Sequence, residues 1–197
     1  MVKVNPILIQ GRWRTGYALD IQTISSTFLG HDEFGHPRFD NKRSEIGELL
    51  YRLKYRSEQG VVDDIVAAAV DFVKARWKPD VDAIIPVPPS KTRKVPPVML
   101  VATGIAKKLK LELMEDVVTK KRDISQLKDV SDYDERIKLL SGAYKVEKSK
   151  TKGRKIFLFD DLYRSGATMN EITNALYDTG GVTDVFALTI TRTRSNT

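Results

Sequence analysis

The stretch from Lys155 to Leu176 constrains this chain more than any other. It opens with four apolar residues, Ile156-Phe157-Leu158-Phe159, the pattern of a strand covered on both faces. Two adjacent carboxylates, Asp160 and Asp161, end the run. Leu162-Tyr163-Arg164-Ser165-Gly166-Ala167-Thr168 follows, with a glycine among small residues, and from Glu171 to Leu176 apolar residues recur at helical spacing. Strand, acidic corner, tight turn and helix in that order suit an open α/β sheet, whose ligands bind beyond the carboxyl ends of the strands. The amides of Ser165 to Met169 then stand at a helix N-terminus, where unpaired N–H groups and the macrodipole favour a phosphate. Asp160 and Asp161 suit what a phosphate alone does not need: sugar hydroxyls, or a Mg²⁺. The plainer reading is a solvated acidic turn before an ordinary helix cap. It leaves the whole order as coincidence.

The segment Asp160-Asp161-Leu-Tyr-Arg164-Ser165-Gly166-Ala167-Thr168 after a hydrophobic strand resembles the signature by which type I phosphoribosyltransferases bind 5-phosphoribosyl 1-diphosphate (PRPP). The match is one continuous segment of about fifteen residues, more specific than a lone glycine-rich triplet. The resemblance implies that Asp160 and Asp161 act in catalysis at the ribose hydroxyls and help to place a metal. It puts Arg164, Ser165, Gly166, Ala167 and Thr168 around the 5-phosphate. Mg²⁺ is the implied cofactor.

The rest of the chain is compatible with one such domain. Its 197 residues are 41% hydrophobic, enough for a full core. A net charge of +7 favours anionic partners, polyphosphate or nucleic acid, without choosing between them. With no cysteine there is no disulfide framework, thiolate nucleophile or zinc ribbon. No signal-type run and no stretch of about 20 apolar residues is present, so the expectation is a cytoplasmic protein without a membrane segment.

Residues 1–30 read as β: Pro6 to Gln10 as a short strand, then Tyr17-Ala-Leu-Asp-Ile as a half-buried one. Residues 30–43 read as a polar surface loop, a lid over substrate being the functional alternative. His31, Asp32, Glu33 and His36 within it match no standard metal-ligand spacing. Together 1–43 form an expected β-rich hood on an α/β core spanning 44–197. Ser44 is the expected N-cap of a helix carrying Ile46, Leu49, Leu50 and Leu53, and a second helix runs from Val61 to Trp77, its tryptophan facing the core. Val81 to Val87 reads as a strand entering the stiff basic loop Pro88-Pro89-Ser90-Lys91-Thr92-Arg93-Lys94, then a helix from Val98 to Leu109. Amides, the Ser90 hydroxyl and Lys91 or Arg93 suit a diphosphate, although a solvated basic loop explains the residues too. By position in the resembled family, Pro89, Ser90 and Lys91 bind pyrophosphate.

After a short strand, Glu115 to Thr119, a polar segment runs to about Arg136. Here the chain is most similar to the competence-protein (ComF-like) branch: Arg122, Gln126, Arg136 and Gly142-Ala143-Tyr144 stand in that branch's relative places. The resemblance makes this the loop that closes over PRPP, with Arg122 and Gln126 in it. Lys145 to Lys155, with six basic residues and one acid, reads as a solvated linker, here a turn leading into the central strand, with a nucleic-acid patch as the sharper alternative. Val185 to Ile190 is the last buried strand. From Val81 onward the alternation of strands and helices predicts a mostly parallel doubly wound sheet flanked by helices.

Some family features are missing. Lys94-Val95-Pro96-Pro97-Val98 stands where the branch carries Arg-Gly-Phe-Asn-Gln, and Leu139 replaces an Asn. Arg164 occupies the position where enzymes of 6-oxopurine salvage place an Asp, and an arginine is no base at neutral pH. Two functions are therefore carried forward. One is transfer of the 5-phosphoribosyl group from PRPP to an unidentified nucleobase or amine, with pyrophosphate leaving. The other is a non-catalytic module that senses PRPP or a nucleotide, with nucleic acid as a partner for which no motif is visible. An exposed edge in the N-terminal β segment leaves a homodimer open.

Overall fold

The computed structural model describes residues 2–89, 96–122 and 138–194. In chain order the strands are β1 (Ile7–Leu8), β2 (Thr15–Ile21), β3 (Thr23–His31), β4 (Pro37–Arg43), β5 (Ala83–Pro86), β6 (Glu112–Leu113), β7 (Val118–Lys120), β8 (Tyr144–Val146), β9 (Lys155–Tyr163) and β10 (Asp184–Arg192). The helices are α1 (Glu45–Tyr55), α2 (Val62–Phe72), α3 (Pro97–Leu109), α4 (Lys148–Thr151) and α5 (Ala167–Asp178).

Among the described residues the main sheet runs β1-β2-β10-β9-β5-β6, parallel throughout except for the short edge strand β1. β9 lies at its centre because its apolar run serves two cores at once. Phe157 and Phe159 face α1, α2 and α3 with Ile84, Phe186, Leu188 and Ile190. Ile156 and Leu158 face α5 with Ala83, Ile85, Val185 and Ala187. The α5 side supplies Ala167, Met169, Ile172 and Leu176. The two crossovers that leave the centre diverge: β5–α3–β6 steps to one edge over one face, and β9–α5–β10 steps the other way over the opposite face. The neighbours β5 and β9 thus flank a topological switch point, where parallel sheets open a crevice.

Local signals explain the helix ends. Ser44 caps α1, its Oγ accepting from the Gly47 amide at 3.1 Å and donating to the Ile21 carbonyl at 2.5 Å. Pro97 opens α3, where a missing N–H costs nothing. Trp77 ends a π-helical turn after α2, donates to Thr15 Oγ1 at 2.9 Å and packs on Phe72 and Phe157, a core position as expected.

Three expectations are corrected. The hood does not take in 1–43, because β2 pairs with β10 over six residues and buries Ala18 and Leu19 on opposite faces, as a central strand does. Residues 30–43 are not a loop. β4 pairs with β3 in a ribbon whose turn is 32–36, and its polar sequence reflects exposure on both faces. Asp32 organises that turn, accepting from the amides of Phe34 and His36. Residues 145–155 do lead into the central strand, but not as an irregular linker: they complete β8, form α4 and enter β9.

Candidate active site

The strand that carries the acid pair does not end there. β9 continues through Asp160 and Asp161 to Tyr163, paired with β10 at Asp160–Thr189, Leu162–Thr191 and Tyr163–Arg192. What ends is the other neighbour. β5 stops at Pro86 opposite Phe159, and the last link across is the Val87 amide on the Phe159 carbonyl at 2.8 Å. From Asp160 onward β9 is bordered on one side only, so its side chains meet the crevice.

Strand alternation then separates the two carboxylates. Asp160 continues the face of Ile156 and Leu158, toward α5. It helps to line a concavity of about 60 Å³ with Leu162, Tyr163 and residues 164–169. Asp161 continues the face of Phe157 and Phe159, toward α1. There Lys54 Nζ lies 3.0 Å from each of its carboxylate oxygens. Desolvation, with the neighbouring charge of Asp161 behind it, pushes the Asp160 carboxyl up to about 8. Its Oδ1 accepts the Asp161 amide at 2.8 Å, and Lys54 adds a smaller pull in the opposite direction. The phenol of buried Tyr144 is held above its ordinary range by desolvation and by the charges of Asp160 and Glu171, which places the β7–β8 ribbon beside the acid.

The turn after β9 has the shape a phosphate needs. Gly166 is left-handed, φ +75°, and directly precedes α5. The helix's first internal bond runs from the Asn170 amide to the Gly166 carbonyl at 2.8 Å, so the amides of Ala167, Thr168 and Met169 have no acceptor within the helix. Contacts from outside hold the turn. Tyr163 Oη donates to the Gln10 carbonyl at 3.0 Å while its ring meets Trp13 edge-on. The Thr193 amide donates to the Tyr163 carbonyl at 2.9 Å. Arg164 is exposed at the mouth.

The two further segments expected at the site arrive from the β5 side. Lys120 Nζ donates to the Pro89 carbonyl at 2.6 Å, joining the loop after β5 to the end of β7. Arg122 donates to the carbonyls of Leu139 and Ser141 at 3.0 and 2.9 Å, and the Lys121 amide to that of Ala143 at 2.8 Å. Pro89 and Arg122 therefore stand on segments joined through Lys120. Ser90, Lys91, Gln126 and Arg136 lie outside the described residues. Sequence reading missed Lys54, Lys120 and Tyr163. Neither lysine lies in a motif, Tyr163 stands inside the acid-to-glycine segment without a role read for it there, and Lys54 is 107 residues from its partner.

The fold and site define a parallel α/β protein with an acid pair and a glycine turn at the switch point of its sheet. No sequence-family model matches the chain, and no curated protein sequence matches it. Solved structures do resemble it in fold. Adenine phosphoribosyl transferase from Trypanosoma brucei, in complex with AMP, pyrophosphate and ribose-5-phosphate, is 13% identical with a TM-score of 0.48, covering 94% of this chain and 73% of that one. Adenine phosphoribosyltransferase from Leishmania tarentolae is 10% identical with a TM-score of 0.47, covering 94% of both chains. UMP synthase from Leishmania donovani is 16% identical with a TM-score of 0.42, and this chain, 80% covered, spans only 26% of its length. Among the described residues no helix is long and apolar enough to cross a membrane.

Proposed function

We propose that this chain binds PRPP and transfers its 5-phosphoribosyl group to a nitrogen acceptor, releasing pyrophosphate. The observation that carries the reading is the concavity in which Asp160 and the Gly166 turn meet at the N-terminus of α5. An anionic 5-phosphate fits the amides of Ala167 to Met169 with Arg164 beside them. The ribose then extends toward Asp160, which accepts from a sugar hydroxyl.

In the transfer, the bond from the sugar's anomeric carbon to the pyrophosphate oxygen breaks and a bond to nitrogen forms. Positive charge builds on the ribose and negative charge on the leaving group. The chain's part is electrostatic and positional, with no covalent intermediate. Lys120, Arg122 and Pro89 stand on the β5 side of the corner, which is proposed as the side toward which the pyrophosphate departs, with Ser90, Lys91 and Gln126 proposed to complete that subsite. Mg²⁺ fits this arrangement. Asp160 is a hard oxygen donor, and the ion's other ligands would be oxygens of the bound diphosphate and water. When bound, the ion neutralises charge on the leaving diphosphate.

The arrangement of Arg122 and Gly142-Ala143-Tyr144 supports a ComF-like affinity, and Arg164 argues for an acceptor other than a 6-oxopurine. The test is calorimetric titration of the full chain with PRPP, with and without Mg²⁺, followed by pyrophosphate release on adding nucleobases and amines. Saturable Mg²⁺-enhanced binding is expected. No binding at millimolar PRPP overturns the reading, and binding without turnover for any acceptor turns the protein into a sensor.

A further inference from the structure

We infer that Lys54 divides the acid pair. Asp160 alone is the ligand-facing carboxylate, and Asp161 is an anchor held from the far side of β9. The inference rests on the PRPP reading of the site and assigns its sugar contact to one residue.

The division begins with strand geometry. Adjacent residues of β9 point to opposite faces, and β10 pairing continues past both acids, so no bulge in the ladder brings them to one side. Asp160 lines the concavity with residues 164–169, and Asp161 does not. Asp161 is instead occupied: Lys54 Nζ sits 3.0 Å from both of its oxygens, with side-chain exposures of 19% for the lysine and 17% for the aspartate. That pair is largely withdrawn from water. For Asp161 to turn toward a sugar, it would have to surrender a shielded ion pair and the strand would have to rotate, and breaking such pairs is costly.

Lys54 does not reach Asp161 by the chance of a loose surface chain. It sits in the last turn of α1, whose position is fixed by buried Ile46, Leu50 and Leu53 and by the Ser44 cap on the Ile21 carbonyl. The lysine therefore fastens α1 to the strand that carries the site. It also neutralises the Asp161 carboxylate, which reduces the repulsion of a polyanionic ligand.

The experiment uses the full chain and isosteric variants. Mg·PRPP is titrated into wild type, Asp160→Asn and the double variant Lys54→Met/Asp161→Asn, which leaves no unpaired charge and so is built to fold. Asp160→Asn should weaken binding about tenfold or more, while the double variant stays within about twofold of wild type. A double variant that loses as much affinity as Asp160→Asn overturns the inference and leaves the PRPP reading standing. A double-mutant cycle on thermal melting adds an independent arm. Lys54→Met and Asp161→Asn should each lower Tm by about 3 °C or more, and the double variant should recover part of the sum. Strict additivity overturns the anchor even if no variant binds PRPP. Failure of the wild type to bind counts against the proposed function, and the cycle still decides the pair.

Discussion

The ring of Tyr163 fills the space that a side chain at position 166 would need. A Cβ on Gly166 would lie 2.6 Å from Tyr163 Oη and 2.7 Å from its Cε2. The tyrosine cannot yield freely, because its hydroxyl is bonded to the Gln10 carbonyl and its ring meets Trp13 edge-on. Backbone shape adds a second demand, since φ at Gly166 is +75°.

Gly166→Ala should therefore fail twice. Forcing a non-glycine residue into the left-handed region costs roughly 1–2 kcal/mol, and the displaced ring would pull the turn off the N-terminal segment. The expected outcome is a lower Tm together with lost binding of PRPP in calorimetry. Adding Tyr163→Ala relieves the clash alone, so Tm should partly recover while binding does not. Unchanged affinity in Gly166→Ala would remove the phosphate from this turn.

Arg164 is exposed at the mouth of the same turn, so its contribution should be to the ligand and not to the fold. Arg164→Ala should weaken PRPP binding about tenfold at low salt and leave Tm unchanged. The loss should shrink as ionic strength rises, because an exposed charge is screened. A loss that is independent of salt would point to displacement of the turn.

The local parts of this site were legible because they are contiguous. Apolar run, acid pair, glycine turn and helix lie within about twenty residues, and each constrains the next by strand or helix period. The polar ribbon of β3 and β4 was not. With neither face covered, the alternation that announces a strand has no reason to exist, and exposed Phe28, Phe34 and Phe39 are scattered among charges. Nor could the sequence separate Asp160 from Asp161. It shows two adjacent acids, but only the paired register of β9 shows that they face apart, and only the fold brings Lys54 to one of them. The placement of β2 in the centre was hidden for a related reason. A strand seven residues long with Tyr17, Ala18 and Leu19 reads as half-buried until the helix over its second face is known.

One prediction concerns the scaffold beneath the site. α2 and α3 meet at Gly104, where an added Cβ would stand 2.5 Å from Val66 Cγ2. Replacing a helical glycine by alanine gains about 1 kcal/mol in propensity, but overpacking a closed interface costs about 1–3 kcal/mol. The packing term should win, and Gly104→Ala should lower Tm without altering PRPP affinity. Val66→Ala in the same chain makes room for the methyl group. The paired variant should therefore melt above the sum of the two single changes.

The last prediction follows from the raised pKa of Asp160, about 8 against an ordinary 3.8. An acid whose folded pKa lies above its unfolded value binds more protons when folded. Its contribution to stability is therefore present at low pH and is lost as pH rises between about 4 and 8. Above that window the folded state must hold an ionised carboxylate in a desolvated place beside Asp161. Asp160→Asn removes the titration but keeps the shape, so Tm of the variant should exceed that of wild type at pH 8 and the gap should close toward pH 5. Melting both proteins across this range, without ligand, reads the effect directly. A gap that widens on acidification would mean that Asp160 is ionised throughout and stabilised by its neighbours. If the expected order holds, the site gives up stability as the pH rises to keep a carboxyl group where a sugar hydroxyl is to be received, and Asp160→Asn should recover that stability while losing the ligand.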